Sequence, residues 1–366
     1  MTRIGITGAD GFLGWHLRAY LHGQRDVQVV PAGRAILDEP QRLRDFVGSV
    51  DAIAHLAGVN RGNEQALRDT NIALAGRLIE ACELSGAAPH IVFANSTHCT
   101  RASTYGEAKR VAAEKLAAWA AKSKAIFTNL VMPHIFGEGC RPHYNSAVAT
   151  FCHQLAHGET PRIIEDGELE LIHAQRVAEE MAAAITRKEG GELRLHGTLI
   201  RVSAVLAVLQ RMATQYAAEI IPELESPLAL DLFNSYRSYL FPQHYPVNLQ
   251  TRRDARGGLF EAVKSLHGGQ CFLSTTKPAI TRGNHYHRRK LERFLVVQGE
   301  ALIRVRRLIS GDVAEFRVSG ERPQYVDMPT LHTHNITNTG ATDLMTLFWT
   351  QDIFDAAHPD TYAETV

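Results

Sequence analysis

Short apolar runs alternate with longer helical repeats along the first half of the chain. Residues 3–7, 27–30, 52–56, 91–94 and 127–132 read as short strands buried on both faces. Apolar positions at helical spacing predict helices over 67–84 and 105–121, and again over 177–185 and 202–218. This rhythm predicts an α/β fold with a Rossmann-like, doubly wound parallel sheet. From about Tyr245 the pattern changes. Closely spaced strand-like runs at 270–276, 293–297, 301–308, 314–318 and 344–350, punctuated by Gly, Pro and Asn, predict an all-β sandwich or barrel. The stretch Phe241-Pro242-Gln243-His244-Tyr245-Pro246 marks the change, so the expected domains are 1–243 and 244–366.

A length of 366 residues suits two hydrophobic cores better than one. The formal net charge is zero, which gives no basic surface for a nucleic-acid partner. No apolar run approaches the ~18 residues that span a bilayer, so no membrane insertion is expected. Met1-Thr2-Arg3 leads into the brief apolar run Ile4-Gly5-Ile6, too short for a secretory leader. The five cysteines are odd in number and form no C-x-x-C pair. They read as reduced thiols in a cytoplasmic protein.

The first strand runs into Thr7-Gly8-Ala9-Asp10-Gly11-Phe12-Leu13-Gly14, with glycines spaced G-x-x-G-x-x-G. Gly8 allows a tight turn, Gly11 lets a pyrophosphate approach the backbone, and Gly14 lets the helix pack closely on the strand. The helix start then offers N–H groups and a positive dipole end to phosphate. Gly8, Asp10, Gly11, Phe12, Leu13 and Gly14 are therefore the expected cofactor loop. An NAD site usually ends its second strand on a carboxylate, whereas here Val30-Pro31-Ala32-Gly33-Arg34 offers an arginine for a 2′-phosphate. NADPH is favoured. The small residues of His55-Leu56-Ala57-Gly58 would let the nucleotide lie against the next strand, which adds His55, Ala57 and Gly58.

Tyr105-Gly106-Glu107-Ala108-Lys109 is a Y-x-x-x-K pair on one helix face. A phenol with a pKa of ~10 is a poor acid–base group at neutral pH, and a nearby ammonium offsets this. Lys109 also suits the nicotinamide ribose hydroxyls. Ser96 is placed to hold a substrate carbonyl, with Thr97 as the alternative. Together with the glycine loop, this pair resembles the extended short-chain dehydrogenase/reductase superfamily. Its dehydratases usually carry Asp-Glu after the serine position. The stretch Asn95-Ser96-Thr97-His98-Cys99 has none, which argues for simple carbonyl reduction.

A second constellation follows: His285-Tyr286-His287, Glu292 and Gly299, then Pro329, His334 and Asn338. Strand alternation puts His285 and His287 on one face. The spacings resemble the two cupin motifs, in which three histidines and a glutamate bind a divalent metal inside a small barrel. This ligand set suits zinc, iron, manganese or nickel. Ala279 and Leu331 stand where those motifs often have glycine.

Further segments extend the resemblance along essentially the whole chain. These are Arg141-Pro142-His143-Tyr144-Asn145-Ser146, residues 254–258, Lys277-Pro278 and Pro359-Asp360-Thr361-Tyr362. They are similar to the family of the capsular polysaccharide assembling protein CapF and its WbjC relatives. The resemblance implies a homodimeric, bifunctional enzyme with a metal, usually zinc, in each cupin domain. The cupin part would epimerise C3 of a UDP-linked 4-keto-6-deoxy-N-acetylhexosamine. The reductase part would reduce C4 with NADPH, giving UDP-N-acetyl-6-deoxytalosamine, the precursor of UDP-N-acetyl-L-fucosamine. Tyr144 and Asn145 resemble its substrate-contacting residues. The chemistry fixes the order, because the C3 proton is acidic only while C4 is a ketone. Lys290, His332 and Tyr286 are candidates for the base and acid, with Lys290 preferred. The residues alone leave UDP and dTDP open. They also leave open a reductase whose cupin only dimerises or holds substrate, and a non-catalytic sensor.

Overall fold

The computed structural model describes residues 1–366. By packing, the chain forms two compact units. One comprises residues 1–135 and 169–199, the other residues 136–168 and 200–366.

The first unit is built on a six-stranded parallel sheet. The strands lie in the order Val27–Ala32, Thr2–Thr7, Ala52–His55, His90–Ser96, Phe127–Met132 and Gly191–Arg194. Alternate residues of each strand serve opposite faces, as the pleat requires. Ala52, Ala54, Val92 and Ala94 pack with Leu17, Leu21, Val177 and Met181, from the helices Phe12–His22 and Ala174–Arg187. Ile53, Ile91 and Phe93 pack on the other side with Leu74, Leu78, Leu116 and Trp119, from the helices Glu64–Ser85 and Thr104–Ser123. Because both faces are covered, the strands read as apolar runs. The strand order reverses between Thr2–Thr7 and Ala52–His55. The carboxyl ends of these two strands therefore flank the crevice where such sheets bind ligands.

The second unit contains two five-stranded antiparallel sheets. One joins Val247–Asn248, Gln324–Met328, Glu292–Gln298, Leu344–Thr350 and Gln270–Thr276. The other joins Val313–Ser319, Glu300–Arg307, His332–Asn338, Thr281–Tyr286 and Tyr362–Ala363. Their shared core includes Phe294, Val296, Ile303, Val305, Val326, Met328, Ile336 and Phe348.

The expected single cut at residue 243 does not follow this packing, because residues 136–168 and 200–243 lie with the C-terminal strands. Side chains of the helices Val202–Ala217 and Pro227–Ser238 end on those strands and loops. Tyr216 donates its hydroxyl to Asp327 at 2.6 Å. Asn234 donates to the Arg289 carbonyl at 2.9 Å. The buried Arg237 donates to the Met328 carbonyl at 3.3 Å. Asp327 also takes a two-pronged ion pair from Arg293 at 2.7 and 2.9 Å. Cutting at 243 would leave these buried polar groups without partners, which costs more than any linker composition reveals.

Candidate functional site

In the first unit, Gly8 adopts φ 69°, the left-handed region that its tight turn requires. A Cβ at Gly14 would lie 2.2 Å from the Gly8 carbonyl oxygen, so only glycine fits the helix under this turn. Gly11 precedes the helix Phe12–His22, and no side chain caps the helix start. The first-turn N–H groups thus face outward for an anion. Asp10 is exposed and pairs with Arg18 at 2.9 Å. Arg34 is exposed two residues beyond Ala32, and the Ala32 carbonyl accepts from the Gly8 N–H at 3.2 Å. This arginine therefore stands beside the glycine turn.

Thr7 carries a role that its neighbours in the glycine motif obscure. Its buried Oγ1 accepts from the N–H groups of Leu56 at 3.1 Å and Ala57 at 3.2 Å. It also bonds His55 Nδ1 at 2.8 Å. Burial first, and then the Lys109 charge, lower the His55 pKa to about 3, so this ring stays neutral and structural. Asn71 fixes the next residues, accepting from Val59 N at 3.0 Å and donating to Val59 O at 2.7 Å. A buried asparagine in mid-helix gives no periodic signal, and the sequence reading missed both anchors.

Tyr105 and Lys109 lie on the helix Thr104–Ser123, whose start is capped by Ser103 accepting from Gly106 N at 3.1 Å. A Cβ at Gly106 would meet the His98 carbonyl at 2.3 Å, so this glycine lets the helix start beneath the 97–101 turn. Lys109 is buried, donates to the Ala94 carbonyl at 2.8 Å, and lies 5.9 Å from the Tyr105 ring centroid. Burial lowers its pKa to about 8. The Tyr105 pKa is pushed up to about 12 by burial, opposite to the lowering expected from its lysine neighbour. At this range the ammonium bonds a carbonyl instead of the phenol, and loss of water dominates. The protonated phenol is the form a reductase needs as proton donor. Ser96 accepts from His98 N at 3.2 Å, and Thr97 opens the short 3₁₀ turn Thr97–Thr100.

In the second unit, Tyr144 is half-buried and Asn145 exposed, in the loop entering the helix Ala147–Ala156. The Arg141 guanidinium lies 5.2 Å from the Tyr144 ring centroid.

The four expected metal ligands converge: one donor atom each from His285, His287, Glu292 and His334 lies within 4.8 Å of the others. Glu292 Oε2 lies 3.0 Å from His287 Nε2, 3.2 Å from His334 Nε2 and 3.7 Å from His285 Nε2. Burial opposes ionisation of Glu292, but the three imidazoles gathered around it outweigh burial and hold the carboxyl well below the carboxylate range. Burial lowers His334 to about 4 although Glu292 pulls the other way. The far nitrogens are committed: His287 Nδ1 donates to the Asp360 carbonyl at 2.6 Å and His334 Nδ1 to the His332 carbonyl at 3.1 Å. Each of these Nδ1 atoms carries a hydrogen, which leaves Nε2 to turn its lone pair toward the carboxylate. Acceptors facing acceptors call for a cation between them, and tautomers fixed by carbonyls are the usual support of metal-ligating histidines. The donor set fits a divalent metal.

Ala279 and Leu331 have φ of 61° and 59°. These positions keep the left-handed turn that glycine usually supplies and accept the steric cost of a side chain. Asn338 is buried and bridges the Thr276 and Thr342 carbonyls at 2.8 Å each. Lys290 is not aimed as a free base. Its ammonium donates to the Pro359 carbonyl at 2.6 Å.

The family model for the NAD dependent epimerase/dehydratase family matches residues 4–194, more than half of the chain. The chain belongs to that family. A model described as the polysaccharide biosynthesis C-terminal domain matches residues 252–362 of this NAD(P)-dependent family member. The chain is 31% identical to the UDP-2-acetamido-2,6-beta-L-arabino-hexul-4-ose reductase of Pseudomonas aeruginosa, covering 100% of this chain and 99% of that protein. It is also CapF-like throughout. The crystal structure of capsular polysaccharide assembling protein CapF from Staphylococcus aureus matches with TM-score 0.65 and 31% identity over 100% of both chains. RMD from Pseudomonas aeruginosa complexed with NADPH matches with TM-score 0.54 at 19% identity, over 58% of this chain and 84% of that one, which shows the shared fold. These matches make this family member an enzyme of the reductase/epimerase type. No helix is long and apolar enough to cross a membrane.

Proposed function

We propose that this chain is a bifunctional nucleotide-sugar enzyme. Its C-terminal antiparallel sheets form a cupin barrel that epimerises C3 of a UDP-linked 4-keto-6-deoxy-N-acetylhexosamine. Its parallel-sheet unit then reduces C4 with NADPH, giving UDP-N-acetyl-6-deoxytalosamine. The observation that carries this reading is the convergence of His285, His287, His334 and Glu292 on one point, in a chain that also holds the Tyr105/Lys109 pair. The relative's name, a reductase of a UDP-linked hexul-4-ose, supports a ketone at C4.

In the reductase unit, the glycine turn holds the NADPH pyrophosphate and Arg34 its 2′-phosphate. Lys109 holds the nicotinamide ribose, and Ser96, with Thr97, orients the ketone. NADPH bound there would supply a hydride to C4, and Tyr105 would give its proton to the C4 oxygen. Tyr144 and Asn145 contact the sugar nucleotide. In the cupin unit, the four ligands hold a divalent metal, zinc by family resemblance, which supplies Lewis acidity to stabilise an enolate. Epimerisation must come first, because reduction removes the carbonyl that acidifies the C3 proton. The protein acts as a homodimer.

Proton NMR of the product formed from the UDP-linked 4-keto sugar and NADPH in deuterated water tests this. Deuterium and inverted configuration at C3, with C4 reduced, is the expected result. Protium and retained configuration at C3, with C4 reduced, would leave a plain reductase.

A further inference from the structure

Residues 359–364 fold back along the strand Thr281–Tyr286 and the turn after it, which carry two of the metal-ligating histidines. Each residue from 284 to 290 meets this segment. The Glu364 N–H donates to the Asn284 carbonyl at 2.9 Å. His285 and Tyr286 pair in antiparallel register with Ala363 and Tyr362. The Asp360 carbonyl accepts from His287 Nδ1 at 2.6 Å. The Asp360 carboxylate accepts three successive N–H groups, from Arg288 at 3.0 Å, Arg289 at 2.9 Å and Lys290 at 2.8 Å. Asp360 has φ 42°, a left-handed conformation that a short polar side chain tolerates. It thus presents both its carbonyl and its carboxylate to residues 287–290.

We propose that Asp360 is a positioning residue of the metal centre: it fixes the 288–290 turn and the His287 ring so that His285 and His287 aim at Glu292. The inference rests on reading the His/Glu cluster as a metal site. Three N–H groups pointing one way form an anion-seeking concavity, and a carboxylate is the acceptor that locks it. Only this turn separates His287 from Glu292, so a shift in it moves one ligand against the other. The same lock fixes Lys290 on Pro359.

The test is titration of the metal-stripped, full-length chain with Co²⁺, followed by visible absorption, for wild type, Asp360→Ala and Asp360→Asn. Asp360→Ala should bind Co²⁺ roughly 10–100-fold more weakly, as loss of supporting hydrogen bonds to ligands does elsewhere. Its absorption band should also be altered. Asp360→Asn keeps one acceptor oxygen and should lose less, so it serves if the alanine variant does not fold. A positioning role shrinks the rise in melting temperature that Co²⁺ gives. Variants that melt lower by equal amounts with and without Co²⁺, and bind it with wild-type affinity and spectrum, overturn the proposal. A wild-type chain that binds no Co²⁺ instead overturns the metal reading itself, and the role of Asp360 falls with it.

Discussion

The two candidate sites of this chain are built by opposite means. Around Gly8, Gly11 and Gly14 the fold removes side chains, and the charge has to arrive with the ligand as phosphate. Around Glu292 the fold imports side chains, and the charge belongs to the protein. An anion can be held by backbone N–H groups that any sequence possesses, so the sequence needs only to clear space. A cation needs ionised or lone-pair donors, and these must be carried into a buried position and supported there. One site is therefore sensitive to any added atom, and the other to any lost partner.

The sharpest break between them is a reciprocal pair of variants. Tyr105→Phe should lower C4 reduction about 10²–10⁴-fold, the usual worth of a general acid. It should leave deuterium exchange at C3 intact. Glu292→Gln should abolish that exchange while NADPH still binds. Loss of C3 exchange in Tyr105→Phe, or of NADPH binding in Glu292→Gln, would show that the sites are not separable. A smaller effect comes from Gly14→Ala. Its Cβ would sit 2.2 Å from the Gly8 carbonyl, so the turn must move. NADPH affinity should fall at least about tenfold and the melting curve should register about 1–3 kcal/mol of strain. Fluorescence titration checks the first and thermal unfolding the second, and C3 exchange should be unaffected.

The smallest expected effect is one of pH. Burial lowers Lys109 to about 8, so its ammonium is charged below that pH and neutral above it. NADPH affinity should be full at pH 7 and fall about tenfold by pH 9, since two pH units around a pKa change the charged fraction by that factor. Tyr105, pushed up to about 12, keeps its proton across this range. A flat affinity between pH 7 and 9 would mean that Lys109 contributes no charge to the cofactor site.

The two sites also differed in how far they could be read from sequence. Five of the six parallel strands fell within a few residues of their observed bounds because they read as apolar runs, whereas the edge strand Gly191–Arg194, with Leu193 as its one large apolar residue, went unread. The glycine loop and the Y-x-x-x-K pair are local, so spacing alone located them. The four members of the His/Glu cluster were named from two short motifs, although His285 and His334 meet only by pairing across strands. The strand His332–Asn338 went unread, since a strand that faces ligands inward carries His and Asn where alternation expects apolar residues. Thr7 and Asp360 were invisible as anchors because each acts on a partner tens of residues away, and Asn71 because a buried asparagine in mid-helix gives no periodic signal. The association of residues 200–243 with the C-terminal strands depends on Tyr216, Asn234 and Arg237, which look like ordinary helix residues until their partners are known.

The clasp of Asp360 on the 288–290 turn also sets an order in time. His287 and the carbonyl that orients it are 73 residues apart in sequence. At roughly 5–20 residues per second, a ribosome makes the turn several seconds before it makes the clasp. His285, His287 and Glu292 are thus synthesised into a chain that cannot yet hold them still. The reductase sheet, by contrast, has all its strands once residue 194 is made. The newborn chain acquires its nucleotide-binding scaffold early, and completes the geometry that would discriminate among metal ions only once residue 360 has been made.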